Sequence, residues 1–194
     1  MSNEQLEKYK ELLIKWQKTI NLVGPDTLNS IERRHFEDSA QLADLIPPGE
    51  QVVFDIGSGA GFPGMVLAIL RPELKMHLIE SDHRKCTFLS TVSRETMAPV
   101  TIYSERIESL SIKTIPAIIT ARALAPLDKL LGYAQPWAAK NPALILLFLK
   151  GRGARDEIAA AEKLFDFDIE IIPSKTDPVA SVLKITNLRP IKKD

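Results

Sequence analysis

The run Val52-Val53-Phe54-Asp55-Ile56-Gly57-Ser58-Gly59-Ala60-Gly61-Phe62-Pro63-Gly64 constrains this chain more than any other stretch. An apolar strand, Val52 to Ile56, passes into a loop with three alternating glycines. Pro63 then opens an apolar helix carrying Met65, Val66, Leu67, Ile69 and Leu70. Glycine allows backbone angles closed to other residues, and its missing side chain lets a ligand lie against the main chain. Proline suits the first helical turn, where its absent N–H loses no bond. Strand, glycine loop and helix together form the nucleotide-binding corner of an open parallel sheet.

Gly59-x-Gly61-x-x-Gly64 also fits the dinucleotide fingerprint, so the loop alone does not separate NAD from other adenosine ligands. Asp55 helps. It stands two residues before the first glycine, where a dinucleotide site carries an apolar residue. A carboxylate there repels a pyrophosphate and favours a cationic ligand, such as the amino group and sulfonium of S-adenosylmethionine.

The rest of the chain continues the pattern. Strands are predicted at 52–56, 75–79, 100–103, 117–121, 143–149, 168–172 and 179–186. Helices are predicted at 63–71, 83–96, 125–134 and 155–165, with a short turn near 105–110. Alternating strand and helix means a parallel sheet with right-handed crossovers. Only Pro173 to Pro178 separates the last two strands, too short for a crossover helix, so they should pair antiparallel. Residues 143–149 are apolar throughout, as a strand covered on both faces must be. Seven strands with the last reversed is the pattern of a class I methyltransferase, an α/β Rossmann-like fold.

Upstream, residues 3–20 read as an amphipathic helix. Leu6, Tyr9, Leu13, Trp16 and Ile20 form one apolar stripe. Residues 30–45 read as a second helix, and Pro47-Pro48-Gly49 stops it. The division is therefore a helical extension at 1–46 and the sheet domain at 47–194. Lys and Arg number 25 against 25 Asp and Glu, so no global field recruits nucleic acid. The single Cys86 excludes an internal disulfide and a cysteine-only zinc site, and no metal site is expected. No run reaches membrane-spanning length, and Met1 to Gln5 carry no apolar signal core. The expectation is a cytoplasmic protein that works away from membranes.

In open sheets of this kind ligands bind beyond the carboxyl ends of the strands. The first strand ends in the glycine loop, with Asp55, Gly57, Gly59 and Gly61 as cofactor candidates. The second ends at Glu80, where an acid holds ribose hydroxyls. The third leads into Ser104-Glu105-Arg106-Ile107-Glu108, where Ile107 can cover an adenine and Glu108 can take a hydrogen bond. The fourth ends at Ala121-Arg122-Ala123, where methyltransferases put the group that meets the substrate. No Asn- or Asp-Pro-Pro-aromatic motif stands there to hold an exocyclic amine, and Cys86 is far from it. Arginine cannot act as a base. It can bind a phosphate, a guanine O6 or the cofactor carboxylate. That suits guanine N7, an acceptor with no proton to lose, so Arg122 is the candidate catalytic residue. The fifth strand ends in Lys150-Gly151-Arg152-Gly153, two cations able to approach a phosphate backbone. Arg33-Arg34-His35 and Arg84-Lys85 are further basic spots. The expectation is that these cations gather around one mouth. An NAD-dependent oxidoreductase and a non-catalytic RNA-binding module remain as alternatives.

These positions together resemble the RsmG (GidB) family of bacterial 16S rRNA guanine-N7 methyltransferases. The resemblance runs through Trp16-x4-Asn21-Leu22, Arg34-His35-Phe36-x-Asp38-Ser39, Asp55 to Gly64, Arg84-Lys85-x-x-Phe88-Leu89, Arg106-Ile107-Glu108, Thr120-Ala121-Arg122-Ala123 and Leu149-Lys150-Gly151. It implies S-adenosylmethionine as cofactor and one guanine of 16S rRNA, within the 30S subunit or its precursor, as substrate of a monomeric enzyme. Its cofactor contacts carry over to Gly57, Phe62, Ile107, Glu108 and Arg122. The candidate RNA contacts are Arg34, His35, Arg106, Lys150 and Arg152. Many members carry Glu-Arg before the final strand where this chain has Val179-Ala180-Ser181, and Arg152 or Lys184 is expected to replace that arginine.

Overall fold

The computed structural model describes residues 2–191. Met1 and residues 192–194, the outer ends of the two expected segments, lie outside the described residues. Seven strands form one sheet: β1 Val52–Ile56, β2 Lys75–Ile79, β3 Val100–Tyr103, β4 Ile118–Arg122, β5 Ile145–Lys150, β6 Phe165–Pro173 and β7 Ser181–Pro190. Their order is β3-β2-β1-β4-β5-β7-β6. β1 is central and pairs in parallel with both β2 and β4, so Phe54 faces His77 on one side and Ile119 on the other. The strand order reverses there, which opens a crevice at the carboxyl ends of β1 and β4. β7 is antiparallel to both neighbours and lies between β5 and β6. β6 is longer than the sequence suggests, with a register shift between Asp166 and Asp168.

The helices are α1 Ser2–Gln17, α2 Asp38–Ala40, α3 Gly64–Leu70, α4 His83–Thr96, α5 Leu127–Ala138 and α6 Ala154–Ala161. Side chains alternate across each strand, so the sheet buries two layers. Val53, Leu147 and Leu149 face the layer of Tyr9, Met65 and Phe88. Phe54, Leu146 and Phe148 face the layer of Leu131 and Ile158. Tyr9 and Leu13 of α1 are fully buried in the first layer. The N-terminal segment therefore shares the core of the sheet domain and completes the cover of one face.

Two expectations about that segment need correction. α1 ends at Gln17, before Ile20. The Gln17 carboxamide stops it by accepting the N–H groups of Leu22 (2.9 Å) and Val23 (3.0 Å) and donating to the Val23 carbonyl (2.9 Å). Residues 30–45 are not one regular helix. A 3-10 turn at Pro25–Ser30 leads to a π-helical turn at Glu32–Glu37, then α2, then 3-10 geometry at Gln41–Leu45. The polar groups here bond away from the helix axis, chiefly to β4 and the β6–β7 connection. A π turn breaks the regular ladder where such a demand is strong.

Candidate functional site

A cavity of about 860 Å³ opens at the carboxyl ends of β1, β2, β4 and β5. Gly57, Ser58 and Gly59 form its floor, with Gly57 at φ +67° and Gly59 at φ +58°. A Cβ on Gly59 would meet only the Gly57 carbonyl oxygen at 3.9 Å, so this face of the loop is open to the cavity. The backbone is held from below. Gly57 and Ser58 donate their N–H groups to the Ile79 carbonyl (2.8 and 3.1 Å). Glu80 is 8% exposed. One of its oxygens accepts the Gly59 N–H and the other the Asp82 N–H, each at 2.8 Å. Glu80 thus clamps the loop to the end of β2 while still lining the cavity. Ile107 and Glu108, on the 3-10 turn Ile107–Ser109, line the same space, and Tyr133 donates its hydroxyl to Glu108 (3.1 Å).

Gly61 and Asp55 lie elsewhere. A Cβ on Gly61 would come within 2.6 Å of the Tyr9 hydroxyl and 2.9 Å of Leu89. Gly61 is therefore a packing glycine, and Tyr9 donates its hydroxyl to the neighbouring Ala60 carbonyl. Asp55 is fully buried and does not line the cavity. One carboxylate oxygen accepts the Thr120 hydroxyl (2.9 Å) and the other the Gly64 N–H (3.2 Å). Its role is to tie β1 to β4 and to the start of α3. It presents no charge to a ligand.

Burial pushes the Asp55 carboxyl up from 3.8 to about 6, against the hydrogen bonds that hold it down. The folded chain then binds more protons than the unfolded chain between those values. Stability contributed at this site is present at low pH and falls as pH rises through the window. Asp55→Asn keeps both contacts, since the amide can donate to Thr120 and accept from Gly64. In urea titrations from about pH 4 to 6, the wild type should lose about 1 kcal/mol per pH unit relative to Asp55→Asn. Parallel pH profiles for the two proteins would mean that Asp55 is solvated.

Arg122, at the end of β4, has only 16% of its side chain exposed. Nη1 donates to the Arg34 carbonyl (2.9 Å), Nη2 donates to His35 Nδ1 (2.7 Å), and Asp38 lies 3.5 Å away. Its guanidinium carbon sits 4.8 Å from the centre of the Phe62 ring. Since arginine only donates, His35 Nδ1 must accept, and Nε2–H must donate to the Thr27 hydroxyl (2.8 Å). Burial, then the charges of Arg122 and Arg34, push the His35 pKa down to about 3, so the ring is neutral. Phe62, 3% exposed, stacks on Tyr9 (5.4 Å) and His35 (5.1 Å) and meets Phe36 edge-on. Arg122 and Phe62 line the cavity, yet both are engaged by the N-terminal segment.

The expected ring of free cations is only partly formed. Arg34, His35, Arg106 and Lys150 line the cavity; Arg33, Arg84 and Arg152 do not. Lys150 is 8% exposed, and its ammonium donates to the Ala125 carbonyl (2.6 Å) and Glu157 (2.7 Å), so it braces the loop before α5. Arg152 is exposed on the turn beyond, and Lys184 pairs with Glu170 on the β6–β7 hairpin (3.1 Å). Neither replaces the expected arginine in the cavity wall; Thr176, Asp177 and Ala180 stand there. The sequence reasoning also missed Leu124, whose side chain covers the bare Cα of Gly57, beside Ala123 at φ +53°. No spacing signals that contact. Among the described residues no cluster suited to a metal ion occurs, and no helix is long and apolar enough to cross a membrane.

A family model described as "rRNA small subunit methyltransferase G" matches residues 2–185. A ribosomal RNA small subunit methyltransferase G from Parvibaculum lavamentivorans is 48% identical over 189 residues, covering 95% of this chain and 83% of that protein. Other relatives of that description are 42% to 50% identical. Among solved structures, a ribosomal protein L11 methylase from Lactobacillus delbrueckii subsp. bulgaricus superposes with a TM-score of 0.60 at 13% identity, over 82% of this chain and 79% of that one. MtNAS in complex with S-adenosylmethionine gives a TM-score of 0.60 at 15% identity, over 94% of this chain and 71% of that one. At such identities the structures speak for the fold, which is that of the class I methyltransferases.

Proposed function

The chain belongs to the rRNA small subunit methyltransferase G family, and from that premise we propose that it transfers a methyl group from S-adenosylmethionine to N7 of one guanine of 16S rRNA. Methylation of rRNA with this donor is the activity of the family, and an oxidoreductase or a non-catalytic module is not favoured. The observation that carries the cofactor site is the open glycine floor above Glu80. Bare backbone faces a cavity of about 860 Å³, wide enough for a nucleoside with its amino acid arm. Gly59 would lie under the cofactor, with Gly57 beside it beneath Leu124, and Glu80 would accept from ribose hydroxyls through lone pairs its two N–H contacts leave open. Ile107 would cover the adenine and Glu108 would accept from its amine.

When bound, S-adenosylmethionine supplies an electrophilic methyl group on a sulfonium. Guanine N7 needs no base, because its lone pair is already free in the ring plane. The site suits such an acceptor: His35 is neutral but has both nitrogens engaged, and Arg122 only donates. The protein's contribution is alignment and exclusion of water. We place the reaction in the cytoplasm, on the 30S subunit or its precursor, with a monomeric enzyme. The test is transfer of labelled methyl onto 30S subunits and free 16S RNA, with the modified base identified by mass spectrometry. Label on a protein, a small molecule or another base would overturn this reading.

Glu80→Gln tests the floor. Glutamine has one acceptor oxygen where two N–H groups now converge on a carboxylate, so either Gly59 or Asp82 meets an amide N–H. Hydrogen bonds to a charged group contribute roughly 1.5–3 kcal/mol. Affinity for S-adenosylmethionine, read by calorimetry, should fall about tenfold or more. Unchanged affinity would leave Glu80 as a bystander.

A further inference from the structure

Net charge is zero, so any grip on a polyanion must come from cations whose charge is not already cancelled locally. Five lysines and arginines line the cavity: Arg34, Lys85, Arg106, Arg122 and Lys150. Three are committed within the chain. Arg34 pairs with Asp177 (2.9 Å), Arg122 with Asp38 (3.5 Å) and Lys150 with Glu157 (2.7 Å). Lys85 and Arg106 make no ion pair among the described residues. Both stand on the same rim, formed by the start of α4 and the loop after β3. The contact of the Ser104 hydroxyl with His83 Nδ1 (2.6 Å) fixes those two segments side by side.

The rim extends outward over the end of α1. Arg84 Nη2 donates to the carbonyl of Thr19, the residue after exposed Lys18 (2.7 Å), and Arg84 makes no ion pair to a carboxylate on the rim among the described residues. Three acids lie on the rim. The Asp82 carboxylate caps α4 by accepting the Arg84 and Lys85 N–H groups (2.8 and 3.4 Å). Glu105 is exposed beside Arg106, and Glu108, exposed two residues beyond it, accepts the Tyr133 hydroxyl (3.1 Å). Against these stand four cations: Lys18, Arg84, Lys85 and Arg106. The opposite wall carries Arg34 and Lys150, whose charges are cancelled at hydrogen-bond distance.

Resting on the rRNA reading, we infer that the α4 rim, Lys18–Arg84–Lys85–Arg106, is the surface that receives the RNA backbone, and that the opposite wall positions protein and carries little of that grip. A free cation releases the counterions condensed on the phosphate it neutralises, whereas one already paired with a carboxylate releases few. The strand would cross the rim at Lys85 and Arg106 and so deliver a base over the edge into the cavity.

The experiment compares Lys85→Ala with Arg106→Ala in one protein, the charge-conserving pair Lys85→Arg with Arg106→Lys, and Lys140→Ala. Lys140 is an exposed control preceding β5, at the far end of that strand. Binding to 30S subunits is measured against salt, and KM for subunits is taken from methyl transfer. The alanine pair should raise KM about tenfold and flatten the slope of log K against log salt by roughly one to two, near one per lost phosphate contact. The charge-conserving pair should restore both, and Lys140→Ala should leave the slope intact. An unchanged slope in the alanine pair overturns the proposal. So does a loss confined to S-adenosylmethionine affinity, which would assign the two cations to the cofactor. Failure of the rRNA reading is seen separately, as a wild type that methylates neither subunits nor free RNA.

Discussion

Gly64→Val is expected to be the most damaging single change in the fold, reducing stability by on the order of 4 kcal/mol or more. Gly64 begins α3 and is packed against two strands at once. An added Cβ would lie 2.4 Å from Leu78 Cδ2 and 2.7 Å from both the Cβ and a carboxylate oxygen of Asp55. Leu78 and Asp55 are fully buried on β2 and β1, in the middle of a close-packed sheet. Neither can withdraw without disturbing its strand. The Gly64 N–H also donates to Asp55 (3.2 Å), so moving α3 away strands a buried carboxylate. The measurement is a urea unfolding midpoint with soluble yield as a second readout. A Gly64→Val protein that unfolds near the wild-type midpoint would mean α3 sits further from the sheet than described.

The same glycine shows where the sequence stops being informative. Gly57, Gly59, Gly61 and Gly64 share one motif, and spacing treats them alike. The structure gives them different tasks. Gly59 faces open space, Gly57 lies under Leu124, Gly61 accommodates Tyr9, and Gly64 accommodates a neighbouring strand. Tyr9 is 52 residues before Gly61 along the chain, counting 61 less 9, and only tertiary packing brings them together. Asp55 misled for a related reason. Its place before the loop is correct, but a side chain on a strand points to one face or the other, and the motif does not say which. It turned toward Thr120 and Gly64 and away from the cavity.

By contrast, the seven strands, their parallel pairing and the reversed last strand were legible. They rest on periodicity and on the six-residue stretch Pro173 to Pro178, too short for any crossover. The π turn at Glu32–Glu37 was not legible, and the groups its side chains and carbonyls bond, Arg122, Thr176 and Asp177, lie far along the chain. Nor was the neutralisation of Lys150 by Glu157. A cation in a Lys-Gly-Arg-Gly run looks free until the helix after it folds back.

Arg122→Ala should cut methyl transfer to 30S subunits by about 100-fold or more, and Arg122→Lys should rescue little of it. The guanidinium spans three partners on the N-terminal segment: the Arg34 carbonyl, His35 Nδ1 and Asp38. It also lies over Phe62, whose ring packs on Tyr9, the residue that holds the Ala60 carbonyl of the glycine loop. Arg122 therefore joins the wall of the cavity to its floor. Losing it removes the donor to His35 Nδ1 and one donor to the Arg34 carbonyl and breaks the ion pair with Asp38. Misplacement of a site by about 1 Å is enough for a 100-fold loss of rate. Lysine keeps the charge but has no planar fork to reach a carbonyl and an imidazole together. The two substitutions thus separate geometry from charge. If Arg122→Lys transfers methyl within about threefold of wild type, a point charge is what the reaction needs. Arg122 would then act on the substrate or cofactor directly, and the network to His35 would be incidental. If both variants fail alike while urea midpoints move by no more than roughly 2 kcal/mol, a range usual for single substitutions, the fork is what matters. The N-terminal segment is then part of the active site.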